Sequence, residues 1–159
     1  TRPDMTCVIV GDGELRGELE ELARSLGAAN VRFLGAQPNA ARLMPLFDVF
    51  CLPSVWEGLG VVLLEAMHHG VPIVASTAGA IPEVLDGGRC GMLIDPSSLA
   101  SLVAALDAMQ ASPERRRALV SAARAHASAA YGVRRMGDQV AALYDELGGA
   151  RPVTLRATA

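Results

Sequence analysis

Short β-branched runs alternate with stretches of helical periodicity, and this feature most narrows what the chain can fold into. Residues 6–10 (TCVIV) stop at Gly11-Asp12-Gly13 and read as a strand followed by a turn. Residues 14–26 then carry Leu15, Leu19, Leu22 and Leu26 at spacings of four, three and four before Gly27, the pattern of an amphipathic helix with a C-terminal cap. Further strands are predicted at 31–34, 48–52, 71–75 and 91–94. Helical patterns fall at 40–47, where Pro45 weakens the prediction, at 60–69, and after a turn within 79–85. From residue 99 the pattern is wholly helical: 99–109, 114–130 and 135–147, with Ser112 as an N-cap before Pro113 at the first helical position.

Strands separated by helices predict a parallel sheet, because each strand needs a crossover to run in the same direction as the last. The expected fold class is therefore α/β: a Rossmann-like parallel sheet sandwiched by helices, one domain over 1–147 and a weakly ordered tail over 148–159. Ligands of such folds sit at the carboxyl ends of the strands. Gly11-Asp12-Gly13 and the segments 53–60 and 76–83 all fall there.

A chain of 159 residues is expected to bury a single core. Its hydrophobic share is 51% with only 4% aromatic residues, so the apolar content is mainly Ala, Val and Leu, as suits packed helices on a buried parallel sheet. All 14 basic residues are arginine, and with 17 acidic residues the net charge is −3; no broad basic face is available for nucleic acid. Cys7, Cys51 and Cys90 are widely spaced in apolar surroundings and are expected to be buried, reduced thiols. No apolar run reaches the roughly 20 residues of a membrane helix, and the first residues lack a signal-peptide layout, so a cytoplasmic protein is expected, with peripheral membrane association left open.

The segment PSVWEGLGVVLLEAMHHGVP carries the chemistry. It leads from a loop into a helix, and the glycines allow a ligand to approach the backbone closely. The first amides of a helix have no intrahelical partner and lie at its positive dipole end, so those of Gly58, Leu59, Gly60 and Val61 suit a diphosphate. Glu65, about a turn further in, suits a ribose diol, since a carboxylate accepts from hydroxyls. Glu57, before the helix, would face whatever is attached beyond the phosphates, where a sugar offers hydroxyls and developing positive charge. From spacing alone the plainer reading remains stronger: both carboxylates favoured near a helix start by the macrodipole.

Several blocks in order, VIVGDGELRGELEELA, NVRFLG, DVFCLPS, EGLGVVLLEAM, GVPIVAS, GAIPEVL and GMLIDP, resemble the glycosyltransferase group 1 domain of family 4, the C-terminal half of GT-B enzymes. The resemblance spans residues 8–147. It implies retaining, metal-independent transfer from a nucleoside-diphosphate sugar, with no cofactor. It also implies Glu57 as the catalytic carboxylate near the donor sugar, Gly58, Leu59, Gly60 and Val61 on sugar and diphosphate, and Glu65 on ribose. The turn glycines Gly11 and Gly13 join the donor site, and the base is expected against the backbone near Ala36 and Gln37. The implied setting is bacterial surface-glycan or lipopolysaccharide synthesis.

The family's donor domain opens with an earlier strand and helix bearing an Arg and a Lys for the phosphates, and this sequence lacks that segment. The sheet is then expected to leave a gap, fill it from elsewhere, for instance with residues 153–155, or pair across molecules. The acceptor is expected to be bound by an N-terminal domain that is also lacking, leaving this chain inactive alone. Two other functions fit the pattern: a nucleotide-sugar 2-epimerase and a non-catalytic nucleotide-sugar-binding module.

Weaker signals point elsewhere. His68 and His69 are adjacent on a helix and point apart, and with only His126 remaining they make no metal set; the dipole at a helix C-terminus explains them. Gly11, Gly13 and Gly17 miss the dinucleotide fingerprint by one residue. Glu83 is either a structural cap or a substrate contact, and Arg115, Arg116 and Arg117 read as a solvated face.

Overall fold

The computed structural model describes residues 4–148. Among these residues five short strands alternate with helices up to β5 and three α-helices follow, as predicted, and every strand pairing is parallel. The chain divides into two compact units, one up to Leu43 and one from Met44.

The first unit is a βαβ crossover. Strand β1 (Cys7–Val10) and β2 (Val31–Gly35) pair in parallel from Cys7↔Val31 to Val10↔Gly35, with an irregularity between Ile9 and Val10. Helix α1 (Arg16–Ser25) connects them. Its leucine stripe forms as the spacing predicts, but Leu15, Leu19, Leu22 and Leu26 are all exposed. Among the described residues this unit buries no hydrophobic side chain; in place of the single core expected, the buried hydrophobic residues form two clusters, both in the second unit. Residues 40–47, read as a brief helix, form instead a 3-10 helix, Ala40–Leu46: Pro45 has no N–H to donate within an α-helix.

In the second unit β3 (Phe50–Leu52), β4 (Ile73–Ser76) and β5 (Met92–Ile94) form a sheet in the order β3-β4-β5. All four residues of β4 are buried, which explains the unbroken apolar run: a central parallel strand is covered on both faces. One core joins Ile73 and Ala75 to Leu63, Ala66 and Met67 of α2 (Val61–His69), Ile81 and Val84 of α3 (Ile81–Val84) and Ala123 of α5 (Pro113–Ala130). A second joins Val74 and Ile94 to Ala105 and Met109 of α4 (Leu99–Ala111).

The caps are local and legible. The Ser98 hydroxyl accepts from the Ser101 amide at 3.2 Å to start α4, and Ser112 accepts from Arg115 at 3.2 Å to start α5, with Pro113 at the predicted first position. Arg116 is not part of a plain solvated face. It donates to the carbonyls of Met109 and Gln110 and so closes the end of α4. Helix α6 (Val133–Gly148) follows.

The five strands thus form two sheets, and among the described residues no strand joins them. Residues 153–155 lie outside the described residues. No helix of the described residues is long and apolar enough to cross a membrane.

Candidate functional site

The sequence-predicted residues divide between the two units. Gly11, Gly13, Ala36 and Gln37 belong to the first. Gly11 and Gly13 follow β1, with the Gly11 amide donating to the Gly35 carbonyl at 2.9 Å. Ala36 and Gln37 follow β2, and both are exposed; the Gln37 side chain donates back to the Leu34 carbonyl at 2.7 Å. These strand ends also carry a cation the sequence reading passed over. Arg16 donates to Asp12 at 3.0 Å and to Glu20 at 2.8 Å, and its guanidinium lies where a Cβ on Gly35 would come within 2.6 Å. The i, i+4 spacing of Asp12, Arg16 and Glu20 is the signal that could have found it.

Glu57, Gly58, Leu59, Gly60, Val61 and Glu65 lie together in the second unit, in the loop after β3 and the first turns of α2. Glu57 is half-buried, and its carboxylate accepts from the Ser54 hydroxyl at 3.4 Å and from the Gly58 amide at 3.1 Å. The Gly58 amide, expected to begin the phosphate cradle, is therefore engaged by Glu57 itself. Gly60 precedes α2 in the left-handed region, φ +70°, and a Cβ there would press on Leu63 at 3.1 Å. Helix α2 begins at Val61, so the unpartnered amides expected at a helix start begin there.

Glu65 is the fifth residue of α2 and is half-buried. No acidic residue stands in the first turn of this helix, so the macrodipole does not explain Glu65. Its carboxylate has no hydrogen-bond or ion-pair partner among the described residues.

The loop is fixed from beneath. Buried Ser76 at the end of β4 donates its hydroxyl to the Ser54 carbonyl at 2.6 Å. In the next turn the Ala80 amide donates to the Gly58 carbonyl at 3.2 Å. Sequence reasoning missed this positioning role of Ser76, because no local pattern links it to Ser54, 22 residues earlier. Beyond β5, Asp95 accepts from the Ser97 hydroxyl at 2.7 Å and amide at 2.8 Å, which hold its carboxyl below the usual range. Glu83 is exposed in the first turn of α3 and caps no backbone amide. The thiols also differ from expectation: Cys7 is exposed, Cys51 half-buried and only Cys90 buried, because the first unit offers no core to cover Cys7.

A loop at the carboxyl end of a parallel strand, running into a helix start beside two carboxylates, can bind an anion next to a polyol. The sequence profile of glycosyl transferases group 1 matches residues 1–126. The chain is 32% identical over 147 residues to MMP alpha-(1->4)-mannosyltransferase of Mycolicibacterium hassiacum, covering 90% of this chain and 36% of that protein. It is 33% identical over 148 residues to the GDP-mannose-dependent monoacylated alpha-(1-6)-phosphatidylinositol monomannoside mannosyltransferase of Corynebacterium glutamicum, covering 87% and 38%. Among solved structures, Anabaena Alr3699/HepE in complex with UDP superposes with a TM-score of 0.84 at 28% identity, over 91% of this chain and 42% of that one. The same protein in complex with UDP-glucose gives a TM-score of 0.82 at 30% identity, over 91% and 42%. The chain thus spans little more than a third of the curated relatives, yet the ordered motifs, the parallel α/β build and the profile agree, and the chain belongs to the glycosyl transferases group 1 family.

Proposed function

We propose that this chain is the donor-binding part of a GT-B glycosyltransferase that takes a sugar from a nucleoside diphosphate and transfers it with retention and without a metal ion. The observation that carries this reading is the pairing of an anchored carboxylate, Glu57, with a half-buried carboxylate lacking a partner among the described residues, Glu65, on either side of the start of α2. A diphosphate at the helix start needs no cation of its own there, because unpartnered amides and the dipole supply the positive potential. Glu65 then accepts from the ribose hydroxyls. Glu57 stands toward the sugar, where it orients hydroxyls and stabilises charge at the anomeric carbon as the bond to phosphate breaks. The complexes of the Anabaena relative with UDP and UDP-glucose support this ligand class.

The acceptor is assigned to a further domain, so this chain alone should bind donor without transferring sugar. Protein-observed NMR, titrating UDP, GDP, ADP and their common sugar conjugates, tests the reading. One nucleotide should shift amides at 58–65, and Glu65→Ala should abolish the response. A nucleotide response that Glu65→Ala leaves intact would remove Glu65 from the site; sugar transfer by the chain alone would overturn the division of labour.

A further inference from the structure

Asp86, Cys90 and His126 have no part in the donor site. Asp86 lies in the turn after α3, Cys90 just before β5, and His126 in α5. One carboxylate oxygen, the thiol sulfur and one imidazole nitrogen from these residues all lie within 4.8 Å of one another. Their distance in sequence hid the grouping from a reading that set His126 only beside His68 and His69.

Ordinary packing accounts for the parts but not for the set. A buried thiol alone would be a small apolar residue, and Cys90 is 2% exposed. The imidazole beside it, however, has no hydrogen bond on either nitrogen: Nε2 is buried with no partner among the described residues, and Nδ1 stands 3.9 Å from an Asp86 oxygen. Both imidazole nitrogens are thus free of hydrogen bonds, and a neutral nitrogen without one can serve a cation shared with Asp86 and Cys90. Tyr131 packs edge-on against the His126 ring, 5.6 Å between centroids, and holds its plane.

We propose that Asp86, Cys90 and His126 form a site for a zinc-like divalent cation, with water as a fourth ligand. The mixture of sulfur, nitrogen and oxygen donors suits zinc, whereas magnesium and calcium take oxygen. Zinc bonds of about 2.0–2.3 Å put the ligand atoms of a tetrahedron roughly 3.3–3.8 Å apart, so the cluster closes by about an ångström on binding. No hydrogen bond of His126 has to break. Cys90 loses its proton to solvent and binds as thiolate. The present competitor is Arg89, which donates to both Asp86 oxygens; its side chain is 76% exposed and can swing into solvent as the metal takes its place. The bound ion ties the turn after α3 to α5, a structural role apart from transfer chemistry.

Cobalt titration of the full chain under reducing conditions, in a Cys7→Ser background that removes the exposed thiol, tests this. One equivalent should give a thiolate-to-cobalt charge-transfer band in the near ultraviolet with tetrahedral visible bands, and zinc should displace it. Cys90→Ser should abolish the near-ultraviolet band, His126→Asn should weaken binding at least about tenfold, and Arg89→Ala should tighten it by freeing Asp86. Circular dichroism verifies folding, and if Cys90→Ser misfolds, the affinity of His126→Asn decides. A titration with no saturable band up to millimolar cobalt, a band that survives Cys90→Ser, or an affinity unmoved by His126→Asn would each overturn the site.

Discussion

The carbonyl oxygen of Glu57 occupies the space that a side chain on Gly79 would need: a Cβ there would lie 1.8 Å away. Gly79 also sits in the left-handed region, φ +53°, so both backbone conformation and close approach require glycine. The turn after β4 thus sets the position of the loop after β3, and of the carboxylate proposed to meet the sugar.

Gly79→Ala should therefore both destabilise the chain and weaken donor binding. The backbone strain alone costs more than about 1 kcal/mol, and displacement of the Glu57 loop brings the total to roughly 2–4 kcal/mol. Urea unfolding and nucleotide titration check the two effects. Wild-type stability would mean that the loop does not rest on this turn.

Ser76→Ala should cost about 1–3 kcal/mol, because it leaves the Ser54 carbonyl without the hydroxyl that donates to it at 2.6 Å in a buried setting. Donor affinity should fall with it, since Ser54 in turn touches the Glu57 carboxylate. A midpoint shift in urea with unchanged slope is the expected result.

In the two-domain enzyme proposed above, Glu57→Ala or Glu65→Ala should each reduce kcat/KM by more than about tenfold, a loss above about 1.4 kcal/mol of transition-state stabilisation. The two should divide: Glu65→Ala mainly through KM, as a ribose contact, and Glu57→Ala mainly through kcat. Near-normal rates for either would sink its assignment.

Asp95 titrates below the usual aspartate range because the Ser97 hydroxyl, and then the Ser97 amide, donate to its charged form. A carboxyl whose folded value is depressed contributes stability above its unfolded value and loses it as pH falls through the folded one. Ser97→Ala should raise the Asp95 value toward the ordinary range and shrink the loss of stability on acidification below pH 4, roughly the unfolded aspartate value. Carboxyl-detected NMR follows the residue directly.

The sequence by itself determined the local structure: where strands and helices alternate, that the strands run parallel, the cap at Ser112, and the loop-to-helix segment holding Glu57 and Glu65. These follow from periodicity, turn chemistry and capping, which act over a few residues. It also determined the family, because seven blocks in a fixed order are far more specific than any one of them. Tertiary structure alone decided the rest. The leucine stripe of α1 predicts burial that the fold does not supply, since a pattern specifies a face and not its partner. The pairings of Ser76 with Ser54, Gly79 with Glu57, and Cys90 with His126 join residues distant in the chain, and only the packing of parallel strands and their crossover helices brings such atoms within reach.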